Sequence, residues 1–180
     1  MKNILFVTSE CVPFIKTGGL ADVVGALPKY LDKERYDVRV ILPNYLSIPA
    51  KYKEKMQYKT HFYMELAWRN QYVGILETVI DGITFYFIDN EYYFKRENPY
   101  GYGDDGERIA YFSKAVLECL QHIPGFFPDV IHCNDWHTAL VPVFLREHYM
   151  ELEEYRRIKT VFSVHNLKFQ GIYHGDMLGD

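Results

Sequence analysis

Ile4-Leu5-Phe6-Val7-Thr8-Ser9-Glu10, followed by Lys16-Thr17-Gly18-Gly19-Leu20-Ala21-Asp22-Val23, decides how the chain is read. Ile4 to Val7 is a continuous apolar run of the kind that a strand buried on both faces requires. A polar loop containing a proline runs from Thr8 to Gly19. Beyond it Leu20, Val23, Val24, Leu27 and Leu31 recur at helical spacing, and Pro28 is expected to kink or divide that helix. Residues 36–42 read as a second strand, stopped by Pro43. Strand, loop, helix and strand within about forty residues make a βαβ unit, whose two strands are expected to be parallel.

Working outward, the middle of the chain changes character. Residues 58–66, 72–80 and 83–88 are strand-like and rich in β-branched and aromatic side chains. Arg69-Asn70 and Asp81-Gly82 are turn signals between them, so an antiparallel hairpin insertion leading into another core strand is expected. Residues 92–106 are rich in aromatics, glycine and charge and read as a functional loop. A helix is expected over 107–122, with Ile109, Phe112, Val116 and Leu120 on one face and Pro124-Gly125 ending it. Val130 to Cys133 reads as a short buried strand, 138–149 as a helix and 159–164 as a further strand, with His165-Asn166 at its carboxyl end. Residues 175–180 read as loop, with no closing helix, and a doubly wound sheet normally continues from such a point.

The 180 residues, 48% of them apolar, suffice for one ordinary domain or for half of a two-domain enzyme. Twenty basic against 24 acidic residues give a net charge of −4 and no basic stripe, so neither a nucleic-acid footprint nor an affinity for anionic membranes is indicated. Three cysteines, Cys11, Cys119 and Cys133, are too few and too scattered for a disulfide framework or a cysteine zinc site. No H-E-x-x-H spacing occurs, so no metal is expected. No signal-peptide run, membrane-length segment or N-x-[ST] acceptor occurs, and a cytoplasmic location is the expectation. Sixteen tyrosines suit either a carbohydrate surface or a core with wet edges.

In open α/β sheets ligands bind at the carboxyl ends of the strands. Three polar clusters fall there: Lys16-Thr17-Gly18-Gly19 with Asp22, Asn134-Asp135-Trp136-His137, and His165-Asn166. Gly18 and Gly19 allow close backbone approach and positive φ, and the helix they open favours an anion at its free N–H groups. Lys16 adds a positive charge. The alternative, a tight turn with a solvated lysine, stands beside this one, because neither G-x-x-x-x-G-K-[ST] nor G-x-G-x-x-G is present. Asp22 reads either as a charge–dipole residue of the first turn or as a partner for a ligand hydroxyl. Asp135 reads as a cap or a cleft acid, His132 as structural, and His165 as pointing into the cleft.

These segments resemble the bacterial glycogen synthases and plant starch synthases, ADP-glucose-using glucosyltransferases of the GT-B fold. Val7-Thr8-Ser9-Glu10 with Lys16 to Val23 resembles their N-terminal signature. His132-Cys133-Asn134-Asp135-Trp136-His137 resembles an H-x-x-D-W-H segment. Val164-His165-Asn166-Leu167 with Gln170-Gly171 resembles V-H-N-x-x-x-Q-G, with Phe169 where tyrosine is common. The resemblance implies a Rossmann-like, mostly parallel, doubly wound sheet. Residues 1–180 would be the N-terminal, acceptor-side domain, truncated, with the C-terminal nucleotide-binding domain absent.

It implies transfer of glucose from ADP-glucose to the non-reducing 4-hydroxyl of an α-1,4-glucan such as glycogen, with retention and without cofactor or metal. Lys16, Gly18, Gly19 and Asn166 would bind the donor, while His165, Asp135 and Asp22 would serve catalysis. Tyr92, Tyr93 and Phe94 would lie near the acceptor. The same residues leave room for a sucrose-synthase-like donor or for a non-catalytic glucan-binding domain. The chain alone is expected to be inactive.

Overall fold

The computed structural model describes residues 1–173; the loop expected over 175–180 lies outside the described residues. Its strands are β1 (Lys2–Val7), β2 (Tyr36–Pro43), β3 (Gln57–Leu66), β4 (Arg69–Ile80), β5 (Ile83–Asp89), β6 (Val130–Asn134) and β7 (Lys159–Ser163). The α-helices are α1 (Gly19–Tyr30), α2 (Ala50–Lys53), α3 (Glu91–Phe94), α4 (Asp105–Cys119), α5 (Leu140–His148) and α6 (Glu153–Arg156). One seven-stranded sheet has the order β3-β4-β5-β2-β1-β6-β7. β5, β2, β1, β6 and β7 run parallel, and β3 and β4 form an antiparallel edge.

This is the doubly wound α/β arrangement that the sequence leads one to expect. From β1 the chain moves outward through β2 to β5, then returns to place β6 on the other side of β1. The crossover through α1 and the one through α4 therefore travel in opposite directions. Because parallel crossovers are right-handed, the two helices cover opposite faces. α5, which travels in the same direction as α4, packs beside it. The reversal of direction lies between β1 and β6, where such sheets carry their crevice.

Three local expectations are corrected. Pro28 does not divide α1, which runs unbroken to Tyr30. Only two residues follow it, so its missing N–H costs one bond near the end, and its ring is buried. α1 buries Leu20, Ala21, Val24, Gly25 and Pro28, while Val23 and Leu27 stay partly exposed. The first hairpin turn falls at Ala67-Trp68, with Ala67 at φ 48, and Arg69-Asn70 belong to β4. The second turn sits at Asp81-Gly82 as expected, with φ 53 and 74, the double positive φ that matches the twist of paired strands. The stretch read as a loop from 92 to 106 begins inside α3 and ends inside α4.

β7 is one of the sheet's two edge strands. Val161, Phe162 and Val164 are 44–53% exposed, so apolar side chains on and just after this strand are uncovered among the described residues. No helix of the described residues is long and apolar enough to cross a membrane.

Candidate active-site cleft

The loop after β1 folds back on itself before α1 begins. Cys11 and Ile15 form a β-bridge, and Phe14 is buried edge-on against Phe85 and Phe87 with ring centroids 4.9 Å away in each case. Burial of one such ring contributes about 1.5–3 kcal/mol, which anchors the loop to the sheet. Gly25 lets α1 approach it: a Cβ there would stand 2.2 Å from Val12 Cγ2.

The end of the loop is held by Glu10, which is itself buried. Its Oε2 accepts the Thr17 N–H, the Thr17 hydroxyl at 2.9 Å and the Gly18 N–H at 3.2 Å. Two amides expected to face a ligand anion are thus answered by a carboxylate of the chain. The first turn of α1 beyond them has no side-chain cap. Gly18 is extended, with φ −152, and neither Gly18 nor Gly19 adopts the positive φ that their composition allowed. A Cβ would meet nothing within 4 Å at Gly19 and only Glu10 Oε1 at 4.0 Å at Gly18. Packing within the chain demands neither glycine, and both border the cleft described below.

The opposite wall comes from the ends of β6 and β7. Asn134 donates through Nδ2 to Val7 O at 3.2 Å and His132 O at 3.0 Å. Its Oδ1 is therefore an acceptor, and it lies 3.0 Å from His165 Nε2. That bond makes His165 Nε2 the donor. Asp135 is buried with φ 59, an uncommon conformation for a non-glycine residue. Its Oδ1 accepts the His165 N–H at 2.6 Å, while its own N–H donates to Ser163 O at 2.9 Å. Asp135 is thus a clasp between the two strand ends. Gly171, at φ 61, lies so close to Trp136 that a Cβ would come within 2.2 Å of the indole. Trp136 in turn stacks on His137 at 3.9 Å. His132 is structural, its ring tilted against Phe6 at 4.6 Å and bonded to Ser163 Oγ at 2.8 Å.

These walls enclose one cleft of about 710 Å³, a size that accepts a small-molecule ligand. Of the residues singled out from sequence, Gly18, Gly19, Asp135, His165 and Asn166 line it together. Lys16 and Asp22 are not among its lining residues; they pair with each other through Nζ to Oδ1 and Oδ2 at 2.8 and 2.7 Å. Both are more than half exposed, so the pair contributes only about 0.2–1 kcal/mol and opens readily.

Tyr93 and Phe94 are not available as acceptor platforms. α3 is capped by Asn90, whose Oδ1 accepts the Tyr93 N–H at 3.1 Å, and it turns both side chains inward. Tyr93 stacks on Tyr111 at 4.4 Å and donates to Glu107, and Phe94 packs edge-on against Tyr45. Tyr92 is exposed beside Trp68 and Arg69 in a separate shallow pocket. No group of three or more His, Cys, Asp or Glu among the described residues is placed to hold a metal ion.

A model of the starch synthase catalytic domain family matches residues 3–180. The chain belongs to that family. It is 61% identical over 174 residues to the glycogen synthase of Lachnoclostridium phytofermentans, covering 96% of this chain and 36% of the relative. It is 56% identical over 178 residues to the glycogen synthase of Anoxybacillus flavithermus, covering 99% and 37%. The catalytic domain of starch synthase IV from Arabidopsis thaliana, solved bound to ADP and acarbose, superposes with a TM-score of 0.86 at 30% identity, covering 99% of this chain and 36% of that one. The chain thus spans a little over a third of these relatives.

Within this member of the starch synthase family, sequence reasoning gave no role to several lining residues, among them Glu10, Tyr100 and Asp105. Glu10 stood in the signature as a motif letter without a role. Tyr100, whose hydroxyl donates to Ser9 Oγ at 3.0 Å, was hidden in the glycine-rich loop. Asp105 caps that loop by accepting the Gly101 and Tyr102 N–H groups at 2.6 and 3.1 Å. The composition of 92–106 was the available signal for the last two.

Proposed function

We propose that this chain is the acceptor-side half of a retaining glucosyltransferase that moves glucose from ADP-glucose to the non-reducing 4-hydroxyl of an α-1,4-glucan in the cytoplasm. A second domain outside this chain would supply most of the nucleotide site. The single observation that carries the reading is the convergence of the uncapped start of α1 with Asp135, His165 and Asn166 on one cleft at the sheet's reversal point. The names of the relatives and the ADP and acarbose bound to the Arabidopsis structure support it. The uncovered apolar residues of β7 support a continuation of the protein over that edge.

In this reading the donor diphosphate lies at the first turn of α1, where Gly18 and Gly19 leave room and the helix dipole favours negative charge. Lys16 leaves Asp22 for the leaving phosphate. The backbone carbonyl of His165 offers negative potential to a sugar that gains positive charge. A double displacement would need a free carboxylate beside the anomeric carbon. Glu10, Asp105 and Asp135, which line the cleft, are each already bonded to backbone amides. That commitment favours an ion-pair route in which the departing phosphate takes the acceptor's proton, with positioning and charge stabilisation supplying the rate.

The test is Lys16→Ala in a full-length enzyme that carries this domain, followed by ADP release with glycogen present. Loss of a charge-assisted contact of about 1.5–3 kcal/mol predicts a fall of roughly 10- to 150-fold in kcat/KM for ADP-glucose, with glycogen affinity unchanged. Equal loss of both would count against a phosphate role. Residues 1–180 alone are expected to transfer no glucose, and turnover by the purified chain would overturn the half-site reading.

A further inference from the structure

Next to the cleft, sharing Tyr100, Asp105 and His137 with it, lies a second, smaller cavity of about 20 Å³, lined mostly by buried side chains of α4, the 95–104 segment and the residues at or just past the ends of β1, β2 and β6. A site of about 10–15 Å³ by this measure holds one water, provided that at least two polar groups face it. Two residues on this lining carry buried atoms without a hydrogen-bond partner: Arg108 at Nη2 and His137 at Nδ1. Both residues are more than nine-tenths buried. The rest of the Arg108 head is fully engaged. Nε donates to Tyr93 O at 2.7 Å, and Nη1 donates to Pro99 O at 2.9 Å and Asp105 Oδ1 at 2.6 Å. The guanidinium therefore cannot turn to answer its own Nη2. A buried cation with an unanswered N–H is among the costlier omissions in a protein interior.

We propose that one water molecule occupies this cavity, accepts from Arg108 Nη2 and donates to His137 Nδ1, so that Arg108 positions the His137 ring as its Nε2–H tautomer. Arginine only donates, so the water must use an oxygen lone pair on it. A water polarised by a cation turns its hydrogens away from that cation, and His137, whose unpartnered ring atom is Nδ1, stands on the same lining. The second hydrogen is left for Ser9 Oγ or the Asp105 carboxylate, which share the lining. His137 also lines the large cleft, where Trp136 holds its ring by stacking. The consequence is that His137 offers the cleft a fixed N–H donor and keeps its lone pair inside. Arg108 is a positioning residue, acting through the water, and it ties the orientation of a cleft side chain to the segment pinned by Arg96–Asp104 and Arg108–Asp105. The inference rests on packing alone and does not depend on the reaction proposed above.

The experiment uses the ¹⁵N-labelled chain at neutral pH. Imidazole tautomers are read from two- and three-bond nitrogen–proton correlations, and bound water from nuclear Overhauser contacts to the ring proton between the two nitrogens. The expected result is a single Nε2–H form of His137 with a long-lived water contact. In Arg108→Lys, with dispersed amide signals showing that it has folded, the water contact is lost and both tautomers become populated. An Nδ1–H form in the parent chain, absence of the long-lived water, or a folded Arg108→Lys with an unchanged tautomer would each overturn the proposal. The parent spectrum decides the matter even where the variant does not fold.

Discussion

Glu10 is the residue whose removal tests most directly how the loop before α1 is held. Its carboxylate accepts two backbone N–H groups and one hydroxyl from Thr17 and Gly18. In Glu10→Ala the three donors lose their acceptor together. Thr17 is exposed and can turn to solvent, whereas the Gly18 amide is half-buried. The cost is therefore that of about one charge-assisted acceptor, roughly 1.5–3 kcal/mol, and not three times that. With a urea slope of about 2 kcal/mol/M, the unfolding midpoint should fall by roughly 0.7–1.5 M. Glu10→Gln keeps an acceptor oxygen but not the charge, and should show about half the shift, since charge-assisted bonds are roughly twice as strong as neutral ones. Urea titrations of the three proteins, with amide exchange at Thr17 and Gly18, make the measurement. An unchanged midpoint in Glu10→Ala would show that the loop is held by Phe14 and Val12 without the carboxylate, and the argument for Glu10 would fail.

Two further outcomes follow from the same geometry. Gly171→Ala places a methyl group inside the Trp136 ring at a φ of 61; it should destabilise the chain by about 1–2 kcal/mol, read from the urea midpoint, and shift the tryptophan emission. Burial holds the imidazole of His137 down at about 4 from an ordinary 6.5, and burial also lowers His132. The unfolded chain therefore binds more protons than the folded one between these values, so stability is full above pH 6.5 and is lost as pH falls toward about 4. Urea midpoints at pH 7 and 5 should show that decline, and a His137→Gln variant that folds should flatten it.

How much of this was legible beforehand differs from element to element. The buried strands β1, β2 and β6 announce themselves as apolar runs, and the α1 and α4 segments by helical spacing, because burial on two faces or one leaves a periodic mark. Asp81-Gly82 was readable because two positive φ angles need those residue types. Arg69-Asn70 misled because polar composition marks a turn only loosely, and the bend fell on Ala67-Trp68. Pro28 does not divide its helix, because it stands close to the helix end.

For the site, sequence alone determined which chemistry was available and at which strand ends: a cation, a glycine pair, two acids and a histidine, each just past a buried run. That much is local, since topology rules send the carboxyl ends of parallel strands to one rim. What only the tertiary structure decided is how each group is spent. Glu10 answers the amides of Thr17 and Gly18, Asp135 clasps His165, Lys16 pairs with Asp22, and Tyr93 and Phe94 turn into the core. These are contacts between residues up to thirty positions apart, or rotations of a short helix about its own axis. A linear pattern records neither, because hydrogen-bond partners and inward faces are settled by packing in three dimensions.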